Sequence, residues 1–175
     1  MLVTLFAICE GLTLFGEGRA SANIPNPIQV AGLFADVTRV DAAQLHTCAI
    51  QGGALKCWGN NLVGFLGNGT LYTSGSPVNT LQFESDTESV STYYSHTCAT
   101  CNGRMRCFGL NNSSQIGDGS SATAVVASDV KGLDLGVTAI AVGREFSCGL
   151  RGPDKIYCWG KNEFGQLGDG STIDR

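Results

Sequence analysis

The stretch HTCAIQGGALKCWG at residues 46–59 decides how this chain folds, because the chain repeats it. It returns as HTCATCNGRMRCFG at residues 96–109 and, with changes, as FSCGLRGPDKIYCWG at residues 146–160. The first cysteines of the copies lie 50 residues apart, and the second cysteines are spaced by 50 and 51 residues. A fixed period of this length is typical of repeat proteins, in which each unit needs a stacked neighbour to bury its apolar face.

Each copy predicts a β-hairpin with glycine at its tip. Gly52-Gly53 and Asn102-Gly103 suit two-residue turns, because such turns need positive φ at both central positions. The third copy has one extra residue around Gly152-Pro153-Asp154, which predicts a three-residue loop. The hairpins therefore span residues 46–59, 96–109 and 146–160.

The hairpin register brings six cysteines face to face. Cys98 lies opposite Cys107 as a non-hydrogen-bonded pair, in which Cα atoms approach to ~4.5 Å, within reach of a disulfide. The candidate disulfides in the three hairpins are Cys48–Cys57, Cys98–Cys107 and Cys148–Cys158. The alternative is three pairs of buried, reduced thiols inside a cell. Cys9 and Cys101 have no obvious mates.

A glycine-rich segment follows each hairpin and ends in Gly-Asn-Gly or Gly-Asp-Gly. Ser114 stands where the other two units have glycine. Glycines at fixed offsets allow sharp turns and close backbone approach, so we assign them to repeat turns. Besides the hairpin tips, these turn residues are Gly59, Gly67, Gly109, Gly117, Gly160 and Gly168.

Composition excludes several classes of function. The chain has 175 residues, a net charge of −4 and only 15% charged residues, with no run of Lys or Arg. Nucleic acid is therefore a poor candidate partner. No apolar stretch approaches the ~20 residues that a membrane-spanning helix requires.

Two interpretations of residues 1–26 stay open. The apolar start followed by Ala20-Ser21-Ala22 resembles a secretory signal peptide. Alternatively, Cys9 lies 48 residues before Cys57, which indicates a degenerate preceding repeat. The array proper is predicted to cover residues 27–175.

The pattern His-Thr-Cys-Ala … Cys-Trp-Gly-x-Asn-x-x-Gly-x-Leu-Gly-Asp/Asn-Gly resembles the repeat of the regulator of chromosome condensation family, in its cysteine-bearing variant. The resemblance implies an all-β fold of four-stranded antiparallel blades, usually seven in a closed ring. Three repeats cannot close such a ring. We therefore expect a partial, open β-propeller of about three blades. Its exposed flanks would be covered by further blades in a longer protein or by self-association.

The residues that suggest chemistry have structural interpretations. Cys98 and Cys101 have zinc-like spacing, but they are three steps apart on one strand and so point to opposite faces. His46 and His96 occupy equivalent positions in successive units, and Phe146 replaces them in the third, which fits packing better than proton transfer. The glycine-rich segments lack the Gly-Lys-Ser/Thr of a phosphate-binding loop. We therefore predict no catalytic residue, no metal and no cofactor.

The compartment depends on the state of the cysteines. Oxidised pairs predict an extracellular or secretory location, and reduced pairs predict the cytoplasm or nucleus. Three sequons, at Asn68, Asn111 and Asn112, are possible glycosylation sites in loops that we expect to be exposed.

The function that these observations favour is a non-enzymatic repeat module that mediates protein–protein interaction. The family resemblance implies two alternatives: guanine-nucleotide exchange on a small GTPase, and inhibition of a secreted hydrolase. The sequence identifies neither the partner nor the face that binds it.

Overall fold

The computed structural model describes residues 26–175, and the predictions for Cys9 and for a signal peptide or earlier repeat lie outside this range. Within it the chain is all-β, as predicted, and no helix is long and apolar enough to cross a membrane. The strands, in chain order, are β1 (Val37–Ala42), β2 (His46–Gln51), β3 (Ala54–Gly59), β4 (Ser74–Asn79), β5 (Thr87–Tyr93), β6 (His96–Cys101), β7 (Arg104–Gly109), β8 (Ala124–Asp129), β9 (Val137–Val142), β10 (Phe146–Arg151) and β11 (Lys155–Gly160).

The strands form three separate antiparallel sheets that do not close into a ring. Sheet 1 has the order β1-β2-β3-β4 and sheet 2 the order β5-β6-β7-β8, whereas sheet 3 contains only β9, β10 and β11. The predicted open, partial propeller is confirmed, but the expectation of four strands is wrong for the third blade within the described residues. Arg175 exchanges two backbone hydrogen bonds with Gly160, of 2.8 and 3.0 Å, at the place where Ser74 and Ala124 begin the fourth strands of sheets 1 and 2.

The hairpins have the register that their turn residues predict. Gly52 and Gly53 have φ of 56° and 80°, and Asn102 and Gly103 have φ of 51° and 69°. Gly152-Pro153-Asp154 forms the three-residue loop of the third hairpin. The register places the first cysteine of each hairpin opposite the second, and the structure joins Cys48 to Cys57, Cys98 to Cys107 and Cys148 to Cys158, with Cα atoms 4.1 Å apart.

The apolar core lies between successive sheets. Ile50 and Leu55 of sheet 1 are fully buried, and Phe83 and Phe108 pack with ring centroids 6.5 Å apart. The equivalent of Leu55 in sheet 3, Ile156, is 71% exposed, because no sheet of the described chain covers its outer face. Each apolar side chain that a neighbouring sheet covers stabilises the array by roughly 1.5–3 kcal/mol.

The glycine-rich segments tie one sheet to the next. Gly69 donates its backbone N–H to the carbonyl of Val125 in sheet 2, at 2.9 Å. Asn68 forms an isolated antiparallel β-bridge with Val126 of the same strand. In the following unit the carbonyl of Gln115 accepts from the indole Nε1 of Trp159 in sheet 3, at 2.9 Å. The segments therefore act as structural connections between sheets.

Candidate functional site

The two ends of the sheets carry different surfaces. The end formed by residues 43–45, 94–95 and 143–145 joins the first and second strands of each sheet, and we call it the loop end. The opposite end, formed by the hairpin tips at 52–53, 102–103 and 152–154, is the turn end. All three units present the same end to the same side, because their strands run in the same order.

The loop end exposes large apolar and aromatic side chains. Leu45 is 53% exposed, Tyr93 52% and Tyr94 38%. Leu62 and Tyr72, each within three residues of a strand end on this side, are also exposed. Tyrosine and other aromatic residues are enriched where protein partners bind, because they bury much area with little loss of conformational entropy.

The turn end is dominated by charge. Its exposed apolar residues lie among acidic and basic side chains and include Phe34, Val37, Leu81 and Leu135. The exposed charged residues there include Asp36, Glu84, Asp86, Glu88, Arg104, Asp129, Lys131, Asp134, Arg151, Asp154 and Lys155. Exposed side chains of both signs indicate an ordinary solvated surface.

The two histidines lie at the junctions between sheets, where each meets a hydroxyl of the next unit. His46 Nε2 lies 2.8 Å from Thr97 Oγ1, and His96 Nε2 lies 2.8 Å from Ser147 Oγ. The Ser147 hydroxyl donates its only proton to the carbonyl of Gln115, at 2.9 Å, so it accepts from His96 Nε2–H. His96 therefore cannot serve as the base of a Ser–His pair, and both groups are fully buried.

Burial holds both imidazoles in the neutral state. It lowers the pKa of His46 to about 4, against a smaller opposing effect of Asp41, and the pKa of His96 to about 3, with a further lowering by His46. Neither Nδ1 has a hydrogen-bond partner, so a proton added there would have no acceptor. The histidines pack the junctions, as the repeat pattern predicts.

We expect the array to lose stability as the pH falls from about 6.5 to about 4. In this interval the unfolded chain binds protons at these imidazoles and the folded chain does not, so acid favours unfolding. Each histidine lowers the free energy of unfolding by up to about 1.4 kcal/mol for each pH unit of this fall. Urea unfolding at several pH values measures the slope. The double variant His46→Phe/His96→Phe, which copies Phe146 of the third unit, should show a clearly smaller slope, and an unchanged slope would contradict the assignment.

Sequence reasoning missed the asparagines that order the glycine-rich segments. Asn61, Asn111 and Asn162 stand at the repeat period and are fully buried. The Oδ1 atom of each accepts the backbone N–H five residues later, at 2.9 Å, and Nδ2 donates to a backbone carbonyl nine residues later, at 2.9 to 3.1 Å. Their spacing of 50 and 51 residues, visible in the sequence, was the signal that could have revealed them.

This arrangement changes the interpretation of the sequons. The expected exposure is wrong for Asn111, since its side chain is buried and its Nδ2 already donates to Ser120. Asn68 is half-buried, and its Oδ1 accepts from the backbone and hydroxyl of Thr70. Asn112 is exposed. Glycosylation stays a prediction, and Asn112 is the sequon whose position fits it best.

Cys101 is the one free cysteine among residues 26–175. Its thiol donates to the carbonyl of Ser85, at 3.3 Å, and desolvation raises its pKa, which disfavours the reactive thiolate. Cys98 is joined to Cys107, so the Cys98–Cys101 spacing does not make a pair of metal ligands. No group of three or more potential metal-binding side chains occurs in the described part of the chain.

Comparison with known proteins identifies the fold. Residues 137–166 match the regulator of chromosome condensation (RCC1) repeat. Human WBSCR16 superposes with a TM-score of 0.71 at 21% identity, covering 79% of this chain and 36% of that one. Prp20p from Saccharomyces cerevisiae, whose structure was described with its binding properties to Gsp1p and histones, gives 0.69 at 17% identity, with 79% and 36% covered.

Yeast RCC1 (Prp20) bound by Kap60 gives a TM-score of 0.69 at 16% identity and covers 79% of this chain and 35% of that one. This chain therefore spans about a third of the length of these solved structures. No curated protein sequence matches it. Residues 137–166 carry the regulator of chromosome condensation repeat, and residues 26–175 fold as successive blades of an open β-propeller.

Proposed function

We propose that the chain is a non-enzymatic module that binds another protein through its loop end, in an oxidising compartment. The observation that carries the proposal is the cluster of exposed tyrosine and leucine side chains at the loop end, whereas the exposed apolar side chains of the turn end lie among many charged ones. Rigid blades with variable connections suit such a role.

The compartment is supported by the three paired hairpins. Each hairpin is closed by a disulfide. Disulfides persist in secreted and cell-surface proteins, and they are rare in the cytoplasm and nucleus. Guanine-nucleotide exchange, the second candidate, predicts a reducing compartment and free thiols. Counting thiols in the natural protein under denaturing, non-reducing conditions separates the two. Six protected cysteines favour the binding module, and eight reactive ones favour exchange.

Photo-cross-linking tests the proposed face. The photoreactive residue p-benzoylphenylalanine replaces Tyr93 at the loop end or, as the matched control, Leu135 at the turn end; both positions are exposed. In the native compartment we expect discrete protein adducts from position 93 and none from position 135. Equal labelling from both positions, or adducts from position 135 alone, would refute the assignment of the face.

A further inference from the structure

Three equivalent repeat positions converge on one open cavity at the loop end. Residues 44, 94 and 144 stand 50 residues apart, each in the connection between the first and second strands of its sheet. The first strands lie side by side across the three sheets, so these connections meet. They border an open cavity of about 520 Å³, which we call the tyrosine–arginine cup, lined by Ala42, Ala43, Gln44, Tyr93, Tyr94 and Arg144.

The blade itself does not require the side chains of the cup. In units 1 and 3 the connection closes with the same backbone hydrogen bond, Ala43 N–H to His46 O at 2.9 Å and Gly143 N–H to Phe146 O at 2.8 Å. Unit 2 instead forms a tighter turn, in which Ser95 donates to the carbonyl of Tyr93 at 2.6 Å. The residues at 44, 94 and 144 differ from one unit to the next. Variable side chains in the loops of a rigid scaffold are the positions free to serve recognition.

Tyr94 adopts an unfavourable backbone conformation in that turn. Its φ is 40°, a region that bulky side chains avoid. Its ring supports the guanidinium of Arg144 from the third unit, with Cζ 4.7 Å from the ring centroid. A cation–π contact of this kind orients the planar guanidinium and leaves its N–H edges available.

The cup carries one uncompensated positive charge in a chain whose net charge is −4. No carboxylate of residues 26–175 forms a salt bridge with Arg144. Its neighbour Glu145 pairs with Lys161, at 3.0 Å. Asp41, one residue before the cup, accepts the backbone N–H groups of Ala42 and Thr92, at 3.1 and 2.7 Å. Neither acidic group next to the cup forms a salt bridge with Arg144.

We propose that the tyrosine–arginine cup holds an aspartate or glutamate side chain of the protein partner. This inference rests on the proposed function. The planar fork of a guanidinium matches a carboxylate through two parallel hydrogen bonds. A single cation balances a monoanionic carboxylate, whereas phosphate carries close to two negative charges. The exposed Tyr93 and Tyr94 supply aromatic area and hydroxyl donors around the bound group.

The test uses the full 175-residue chain and three capped tripeptides, acetyl-Gly-Glu-Gly-amide, its glutamine counterpart and its phosphoserine counterpart. Titrations are followed by ¹⁵N chemical shifts of the backbone amides at positions 93–95 and 143–145. We expect saturable shifts with the glutamate peptide and at least about tenfold weaker binding of the glutamine peptide, since a charge-assisted hydrogen bond is lost. Equal binding of both, or tighter binding of the phosphoserine peptide, would overturn the proposal.

Arg144→Gln should abolish these shifts. The matched control, Arg151→Gln, removes the same charge from the end of β10 near the turn end, where Arg151 donates to the carbonyl of Gly132, and should leave them intact. Equal loss of the shifts in both variants would mean that the peptide is held by general electrostatic attraction, and it would overturn the assignment of the cup as the carboxylate site. A third outcome separates the two proposals: the unmodified chain binds no glutamate peptide, but cross-linking from position 93 persists in Arg144→Gln. This outcome would overturn carboxylate binding in the cup and would leave the proposed binding module standing. Glutamate binding without any cross-linking from position 93 would leave a carboxylate site at the cup but would overturn its assignment to a protein partner.

Discussion

Complete reduction of the three hairpin disulfides should unfold the array under conditions in which the oxidised chain is fully folded. Each bond closes a loop with a sequence separation of 9 or 10 residues. A loop of this size restricts the unfolded chain enough to stabilise the fold by roughly 2–3 kcal/mol. Three bonds together contribute about 6–9 kcal/mol, which is comparable with the whole stability of a typical domain, about 5–15 kcal/mol.

Urea unfolding followed by circular dichroism, with and without a phosphine reductant, measures this loss. Oxidised Cys101→Ser, which removes the free thiol of residues 26–175, serves as the control and should unfold like the unmodified chain. Pairwise replacement by alanine should cost more for Cys98 and Cys107, which are fully buried, than for Cys148 and Cys158, which are half-buried. A total loss of only about 1 kcal/mol on reduction would contradict the stabilising role.

Gly109→Ala should be the most damaging single substitution in the second unit. Gly109 ends β7 with φ of 108°, and a Cβ there would lie 2.7 Å from the carbonyl oxygen of Ser95 and 2.8 Å from the Cα of His96. Both neighbours are backbone atoms of the adjacent strand connection, so they cannot rotate away. Backbone strain of about 1–2 kcal/mol adds to a similar steric cost. We therefore expect the free energy of unfolding to fall by about 3 kcal/mol or more.

The matched control is Gly52→Ala at a hairpin tip. Gly52 also has positive φ, 56°, but no atom lies within 4 Å of the added methyl group. This variant should lose only the backbone strain, about 1 kcal/mol. Thermal and urea unfolding of both variants measure the difference. Similar losses of unfolding free energy in the two variants would show that the close backbone approach at Gly109 adds nothing to the cost of the substitution.

Local turn chemistry explains why the hairpins could be predicted from the sequence. Asn102-Gly103 fixes the turn type, the turn fixes the register, and the register places Cys98 opposite Cys107. Each step involves residues fewer than ten positions apart. The family resemblance then supplied the blade and the open propeller, which the hairpins alone do not determine.

The features that sequence reasoning missed depend on contacts between distant segments. The role of Asn111 requires knowledge of how the segment after it folds back to Ser120. The cup requires residues of three units to meet, and 50-residue spacing does not say whether they converge or point apart. The hydroxyl partner of His96, Ser147, likewise belongs to the next unit. The candidate functional site lies between repeats, and the repeat period alone does not determine how side chains of different repeats are oriented toward one another.

The placement of the three disulfides also determines how the array should respond to mechanical load. Every bond closes within one hairpin, and none joins two sheets in the described chain. A pulling force along residues 26–175 would therefore peel neighbouring sheets apart while each sulfur-locked loop keeps about 30 Å of chain from extending. Reducing agent would release that hidden length, so the stretched chain would lengthen in three additional steps.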